Sequence, residues 1–462
     1  GRSPHARKER RVTYHFVGVG GIGMSAIARI LRARGIDVRG SDVSVTPLVE
    51  QLRQEGIPVT IGQAARNVAG AGVVVVSSAI ERNNPEYAAA LAGGIKVLHR
   101  GEMLAELLSS RRGIAICGTH GKTTTSAMAH AVLRGGGIDA GLVLGGIDGL
   151  LNTNAYDGTS PWFVTEADES DGSFALLEPA VAIVTNIEND HLSSDDELPG
   201  LVRAFGEFLA KLPDDGLALI GVDNALSASL TDHELRAGVV TFGLAPGARI
   251  RAANLEFENF GSSFDVFDGS RKLGRAELRV PGAMNVQNAL AAIAVACALE
   301  VPFPRIAAAL RTFCGVRRRF DILLSNERMT IVDDYAHHPT AVRATIAAAR
   351  HYHRGTLVVA FQPHRYSRTA YLAADFADAL RGADRIYLTP VYAASEPAIP
   401  GVSERSIGDS LGNNGARVDY VAGVDELERR IFAEAPPGAL VLMLGAGNIT
   451  DAAGRLAKLA RG

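Results

Sequence analysis

The sequence predicts an α/β fold of three domains: a Rossmann-like N-terminal domain, a central P-loop ATPase-like α/β domain with a small β annex, and a C-terminal Rossmann-like domain. Three observations lead there. At 462 residues the chain exceeds what one hydrophobic core usually organises. Short apolar runs alternate with stretches of helical spacing, the order expected of parallel sheets. Two of those runs end in glycine-rich turns, Gly18-Val19-Gly20-Gly21-Ile22-Gly23 and Gly118-Thr119-His120-Gly121-Lys122-Thr123-Thr124-Thr125. Each turn leads into a helical stretch, the setting in which backbone N–H groups cradle phosphate. The expected domain boundaries are 1–108, 109–315 and 316–462.

In the first segment, the run Tyr14–Val17 precedes the first glycine turn and an apolar helix that ends near Gly35. A second strand from Asp37 ends at Ser41-Asp42, which places an acid about 20 residues after the turn, as in a βαβ nucleotide unit. Further strands are expected at Val73–Val76, which runs into Ser77-Ser78, and at Gly94–Val97. Such a turn suits any pyrophosphate, so by itself it does not select a nicotinamide cofactor.

The second segment opens with the run Gly113–Cys117, the second glycine turn and a helix through Leu133. Strands Trp162–Thr165 and Val181–Thr185 follow, and each ends in a polar cluster: Glu166-Ala167-Asp168-Glu169-Ser170-Asp171 and Asn186-Ile187-Glu188-Asn189-Asp190-His191. In open α/β sheets chemistry gathers at carboxyl ends of strands, so both clusters are expected beside the phosphate loop. Residues 239–280 read as short alternating strands of an antiparallel annex, and an apolar helix is expected over Ala289–Leu299. The third segment starts near Gly315-Val316-Arg317-Arg318-Arg319-Phe320, with strands at Thr330–Asp333, Leu357–Phe361, Ile386–Leu388 and Ala439–Leu444.

Composition narrows the function classes. Hydrophobic residues make up 47% and charged residues 21%, ordinary for a globular protein. A formal net charge of −3 offers no basic field, so nucleic acid is not an expected partner. No apolar run has the length of a membrane span, so no membrane insertion is expected. The basic opening, Gly1 to Arg11, shows no signal peptide and reads as a processed or trimmed end. Cys117, Cys297 and Cys314 have neither metal-ligand nor disulfide spacing, which suits a reducing cytoplasm.

The phosphate loop points to ATP. Lys122 is placed to reach terminal phosphates, and the Thr123 hydroxyl to ligate Mg²⁺. A full Walker pattern wants glycine six residues before the lysine, where Ile116 stands, so the loop is a shortened form. Thr123, Glu166 and His191 are the metal candidates, and their mixed donors would let Mn²⁺ take the place of Mg²⁺. An arginine among Arg317, Arg318 and Arg319 is a candidate for neutralising γ-phosphate charge. Asp333-Asp334-Tyr335-Ala336-His337-His338-Pro339 and Phe361-Gln362-Pro363-His364-Arg365-Tyr366-Ser367-Arg368 each follow a strand. Arg365 and Arg368 suit bidentate capture of a carboxylate. An ATP loop, a second nucleotide-type turn and a carboxylate clamp together indicate ATP-driven condensation of an acid with an amino acid.

The phosphate loop, Glu166–Phe174, Asp333–Thr340 and Phe361–Thr369 resemble the corresponding motifs of the Mur ligases, over almost the whole chain from Tyr14 to Asn448. The resemblance implies a bacterial cytoplasmic enzyme of peptidoglycan precursor synthesis, a monomer or weak homodimer. Its expected substrates are UDP-N-acetylmuramate, L-alanine and ATP with Mg²⁺. It also implies residue roles. Gly118, Thr119, His120, Gly121, Lys122, Thr123 and Thr124 would hold the ATP phosphates, with Asn285, Asn288 and Asp334 on the rest of the nucleotide. Gly18, Gly20, Gly21, Gly23, Asp42 and Ser78 would hold the UDP portion. Tyr335, His337, His364, Arg365 and Arg368 would receive L-alanine, with Lys122, His337 and Arg317 or Arg318 acting in catalysis. Gln63, Met284 and Ser193 depart from the pattern, at the sugar contact, before the first adenine asparagine and after His191. Rival readings are a tripeptide-attaching recycling ligase, a nicotinamide oxidoreductase and a non-catalytic sugar-nucleotide sensor.

Overall fold

Val73–Val76, Leu357–Phe361 and Ala439–Leu444 are apolar at every position, as strands covered on both faces must be, and each forms the interior of a parallel sheet. The computed structural model describes residues 12–168, 173–189, 197–412 and 417–461. The architecture is a three-domain α/β fold. By contact the chain divides into two compact units, one of residues 1–147 with 152–240, the other of residues 148–151 with 241–462.

The first unit holds two sheets. Strands β1 (Thr13–Val17), β2 (Asp37–Asp42), β3 (Val59–Ile61), β4 (Val73–Val76) and β5 (Lys96–His99) form a parallel sheet of order β3-β2-β1-β4-β5. Strand order reverses between β1 and β4, and the glycine turn follows β1 at that switch point. β5 starts two residues later than the alternation predicts. Next come β6 (Arg112–Cys117), β7 (Gly141–Val143), β8 (Ala155–Tyr156), β9 (Trp162–Glu166), β10 (Val181–Val184), β11 (Leu217–Gly221) and β12 (Gly238–Gly243). They run in the order β12-β11-β10-β6-β9-β7-β8, with β10, β6 and β9 parallel neighbours. The chain leaves the first unit within β12. One apolar core, including Phe16, Leu104, Leu107, Phe174, Phe205 and Phe208, is continuous through both sheets.

The second unit begins with the expected antiparallel annex, β13 (Ile250–Glu258), β14 (Gly261–Asp268) and β15 (Arg271–Leu278). The apolar helix that follows spans Ala283–Ala298, six residues longer at its start than its apolar pattern indicates. Gly282, at φ +93°, makes the turn into it, and Asn285 Nδ2 donates to Pro281 O at 2.7 Å to secure that turn. The last sheet contains β16 (Asp321–Ser325), β17 (Met329–Asp334), β18 (Leu357–Phe361), β19 (Arg385–Leu388), β20 (Arg417–Tyr420) and β21 (Ala439–Leu444). Its order is β16-β17-β21-β18-β19-β20, parallel except for β16.

A buried carboxylate organises the N-terminal sheet. Glu86, in the first turn of helix Pro85–Ala92, is 0% exposed and His15 is 1% exposed. Glu86 Oε2 accepts from His15 Nε2 at 2.8 Å and Ser41 Oγ at 2.6 Å, and Oε1 accepts from Asn67 Nδ2 at 2.5 Å. Gln63 Oε1 accepts from Asn84 Nδ2 at 2.5 Å, at the cap of the same helix. Burial pushes the Glu86 carboxyl upward, but hydrogen bonds from His15, Ser41 and Asn67 outweigh it and hold the group below the usual glutamate range. A carboxylate with a depressed folded pKa stabilises the fold above its unfolded value and loses that contribution as pH falls. Glu86→Gln is therefore expected to lower stability by about 3 kcal/mol at pH 7. Urea denaturation should show this deficit shrinking below about pH 4; a deficit independent of pH would contradict the assignment.

Candidate active site

The phosphate loop takes its shape from two strands side by side. β6 ends at Cys117, and the helix Lys122–Gly135 starts after Gly121, at φ +85°. β10 lies beside β6, so Thr185 and Asn186 emerge against the loop. Thr119 N donates to Asn186 O at 3.0 Å, and His120 N to Asn186 Oδ1 at 2.9 Å. Thr185 Oγ1 donates to His120 O at 2.7 Å, and Glu188 N to Thr119 Oγ1 at 2.8 Å. Gly118, at φ +121°, tolerates no side chain, because a Cβ would collide with Thr185 Oγ1 and lie 2.8 Å from Asn186 O. Lys122 Nζ donates to Gly118 O at 2.6 Å. Thr124 is buried in the first turn of the helix.

Two of the three metal candidates lie side by side. Thr123 Oγ1 donates to Glu166 Oε2 at 2.9 Å, and Gly145 N donates to Glu166 Oε1 at 2.5 Å. Glu166 is the last residue of β9, which pairs with β6, so the carboxylate arrives at the start of the helix. A hydroxyl and a carboxylate are hard oxygen donors, matched to Mg²⁺. His191 lies outside the described residues.

At the other sheet of this unit, Gly18 has φ +75°, and its N–H donates to Ser41 O at 2.9 Å. Gly20 N donates to Asp42 Oδ2 at 2.8 Å, and a Cβ there would sit 2.7 Å from the Val49 side chain. Gly21 caps the helix Ile22–Ala33, and Gly23 is its second residue. Gly18, Gly20 and Gly21 thus form a turn into the helix that holds Gly23, and Asp42 at the end of β2 bonds to that turn. Ser78 follows β4, the neighbour of β1, and its Oγ is 3.0 Å from His99 Nε2.

In the second unit, β21 runs between β17 and β18, so the two His-rich segments flank one strand end. Tyr335 and His337 rings are 5.1 Å apart, and His337 and His364 rings 5.5 Å apart. His337 Nδ1 lies 2.9 Å from Tyr335 O. A carbonyl only accepts, so Nδ1 is the nitrogen that donates in this contact. Arg365, at φ +70°, precedes the helix Tyr366–Leu380, and Arg368 is buried in its first turn. Tyr392, which sequence reasoning missed, stacks on His364 at 5.6 Å. It follows β19 in an irregular stretch with no alternation to mark it.

The three arginines differ. Arg318 Nη2 donates to Gly445 O at 2.8 Å and Gly447 O at 3.2 Å, and its guanidinium lies over Tyr335. Arg319 also lies over Tyr335. Arg317 is 53% exposed and 3.6 Å from Asp321. Asn285 Oδ1 accepts from Asn288 Nδ2 at 3.1 Å in the first turns of their helix. Asp334 accepts from Phe320 N and Ala336 N, each at 2.7 Å, so its carboxylate shapes the loop that carries Tyr335 and His337.

Asp333 is 2% exposed, and its Oδ1 has no hydrogen-bond partner among the described residues. Burial pushes its carboxyl up to about 6, against the Thr450 hydroxyl bond and the nearby Arg318. A raised folded pKa means that stability is present at low pH and lost as pH rises through the folded value. Asp333→Asn removes this loss. The variant should be more stable than the parent by about 1–3 kcal/mol at pH 8 and nearly equal to it at pH 4. Thermal denaturation at both pH values checks this; an equal difference at both would contradict it.

Residues 13–112 match the Mur ligase family catalytic domain, 116–296 the Mur ligase middle domain, and 318–447 the Mur ligase glutamate ligase domain. The chain is 43% identical over 440 residues to a UDP-N-acetylmuramate–L-alanine ligase of Solibacter usitatus, covering 95% of this chain and 93% of the relative. It is 44% identical to the ligase of the same name from Geotalea uraniireducens, covering 94% and 95%. Among solved structures, the UDP-N-acetylmuramate-alanine ligase MurC of Thermotoga maritima superposes with a TM-score of 0.84 at 30% identity, covering 97% of this chain and 99% of that one.

Proposed function

The chain belongs to the Mur ligase family, and on that premise we propose that it joins L-alanine to the lactyl carboxylate of UDP-N-acetylmuramate, converting ATP to ADP and phosphate. The observation that carries this reading is the shortened phosphate loop with Thr123 paired to Glu166 at 2.9 Å. The setting is cytoplasmic peptidoglycan precursor synthesis, by a monomer or weak homodimer. Residues 1–108 serve the UDP-sugar, 109–315 the ATP, and 316–462 the amino acid.

The lactyl carboxylate attacks the γ-phosphorus, ADP departs, and an acyl phosphate remains. The neutral amine of alanine adds to the acyl carbon, and the tetrahedral intermediate expels phosphate to leave the amide. Lys122 and the N–H groups of Gly121–Thr124, at the start of the helix, offset phosphate charge in the first step. Arg317 or Arg318 adds to that charge dispersal. Thr123, Glu166 and His191 would hold Mg²⁺, or Mn²⁺ in its place, and such an ion when bound supplies Lewis-acid neutralisation of the phosphates. Asn285 and Asn288 read the adenine, while Asp334 acts through the loop it shapes. Gly18, Gly20, Gly21, Gly23, Asp42 and Ser78 hold the UDP portion.

Arg365 and Arg368 take the alanine carboxylate, with Tyr335 and His364 beside it. His337 receives the ammonium proton at Nε2, which its Nδ1 bond to Tyr335 O prepares. The direct test is phosphate release with UDP-N-acetylmuramate and ATP, comparing L-alanine with a cell-wall tripeptide as acceptor. Release is expected with L-alanine and only in the presence of UDP-N-acetylmuramate. Turnover with the tripeptide alone would overturn the reading in favour of a recycling ligase.

A further inference from the structure

Asn154 stands between β7 and β8, in the sheet that carries the phosphate loop, and is 0% exposed. Its side chain reaches into the N-terminal sheet's first helix. Nδ2 donates to Ile22 O at 2.6 Å and to Ser25 Oγ at 2.9 Å, and Oδ1 accepts from Arg29 Nη1. Ile22, Ser25 and Arg29 share one face of helix Ile22–Ala33, so a single amide binds two successive turns. Arg29 is locked in turn by Glu55, which accepts from Nε at 2.6 Å and from Nη2 at 2.9 Å. A buried amide with its donors filled is costly to disturb.

The backbone of Asn154 is committed as well. Its carbonyl accepts from Leu144 N at 2.9 Å. Leu144 precedes Gly145, whose N–H holds Glu166. A continuous run of bonds therefore links the carboxylate beside Thr123 to the helix that begins at the Gly18–Gly23 turn. The neighbouring core is apolar: Ala155, next to Asn154, belongs to the same buried cluster as Ile27 and Ile30 of that helix. Apolar packing holds surfaces together without fixing orientation, whereas three directed bonds on one helix face do fix it.

We propose that Asn154 is a positioning residue for phosphoryl transfer: it sets the distance between the turn that anchors the UDP-sugar and the loop that anchors the γ-phosphate. The proposal rests on the ligase reading above. Reacting atoms must be held about 3–3.5 Å apart, and a shift of about 1 Å costs on the order of 100-fold in rate. Asn154 touches neither substrate in this account, so its removal acts on rate and leaves binding alone.

The test uses the full-length protein with UDP-N-acetylmuramate, ATP, Mg²⁺ and L-alanine. Parent turnover is measured first; if the parent forms no ADP, the ligase reading fails and not this proposal alone. In an active parent, Asn154→Ala should lower kcat by about 10- to 100-fold. The KM values for ATP and UDP-N-acetylmuramate should each stay within about threefold. Ser25→Ala, which removes one amide partner with little change in packing, should lower kcat several-fold with the same split and an almost unchanged Tm. It carries the test if Asn154→Ala does not fold. Unchanged kcat in Ser25→Ala, or affinity for UDP-N-acetylmuramate falling in step with kcat, would overturn the proposal.

Discussion

The clasp of Asn186 and Thr185 on the phosphate loop is the contact on which the first unit's chemistry depends. The turn Gly118–Gly121 has two glycines at positive φ and would be poorly determined by its own sequence. Strand β10 supplies what the turn lacks, binding the backbone of Thr119 and His120 from one side. The backbone of Thr119 and His120 is thereby held in one conformation, and with it the start of the helix at Lys122. From this clasp the ties extend outward, through Thr123 to Glu166, through Gly145 and Leu144 to Asn154, and into the helix behind the first glycine turn.

The second unit solves a different problem. Its candidate side chains come from two strand-end segments separated by β21, and they need a common reference. Arg318 provides one by bonding two carbonyls of the loop after β21 while covering the Tyr335 ring. Asp334 provides another, drawing Phe320 N and Ala336 N onto one carboxylate. The His337 ring is oriented by this loop geometry, since its Nδ1 donates to the Tyr335 carbonyl. Burial of Asp333 is the cost of gathering so many polar groups at one sheet edge.

Local pattern made much of this legible. Val73–Val76 and Leu357–Phe361 announce buried strands, and Gly118–Thr125 announces a phosphate loop wherever the flanking strand lies. Glu166 could be placed because it ends an apolar run beside that loop. What could not be read depends on which strands become neighbours. The cluster that opens at Asn186 is expected near the loop from its strand end, but the bonds from Thr119 N and His120 N to Asn186 depend on β10 pairing with β6, which no spacing in the chain encodes. Asn154 sits beside a two-residue strand too short for alternation to show. Glu86 looks like a solvated residue in a first helical turn until His15, Ser41 and Asn67 close on it. The helix at Ala283 begins before its apolar stretch, because Gly282 and Asn285, not hydrophobic spacing, decide where it starts.

The central claim is that the phosphate loop presents a γ-phosphate to a carboxylate, and isotope transfer tests it most directly. UDP-N-acetylmuramate labelled with oxygen-18 in the lactyl carboxylate is turned over with ATP and L-alanine, and the released phosphate is examined by mass spectrometry. The account requires one labelled oxygen in inorganic phosphate, carried over when the acyl phosphate is cleaved. Phosphate free of label, or label found in AMP, would contradict it.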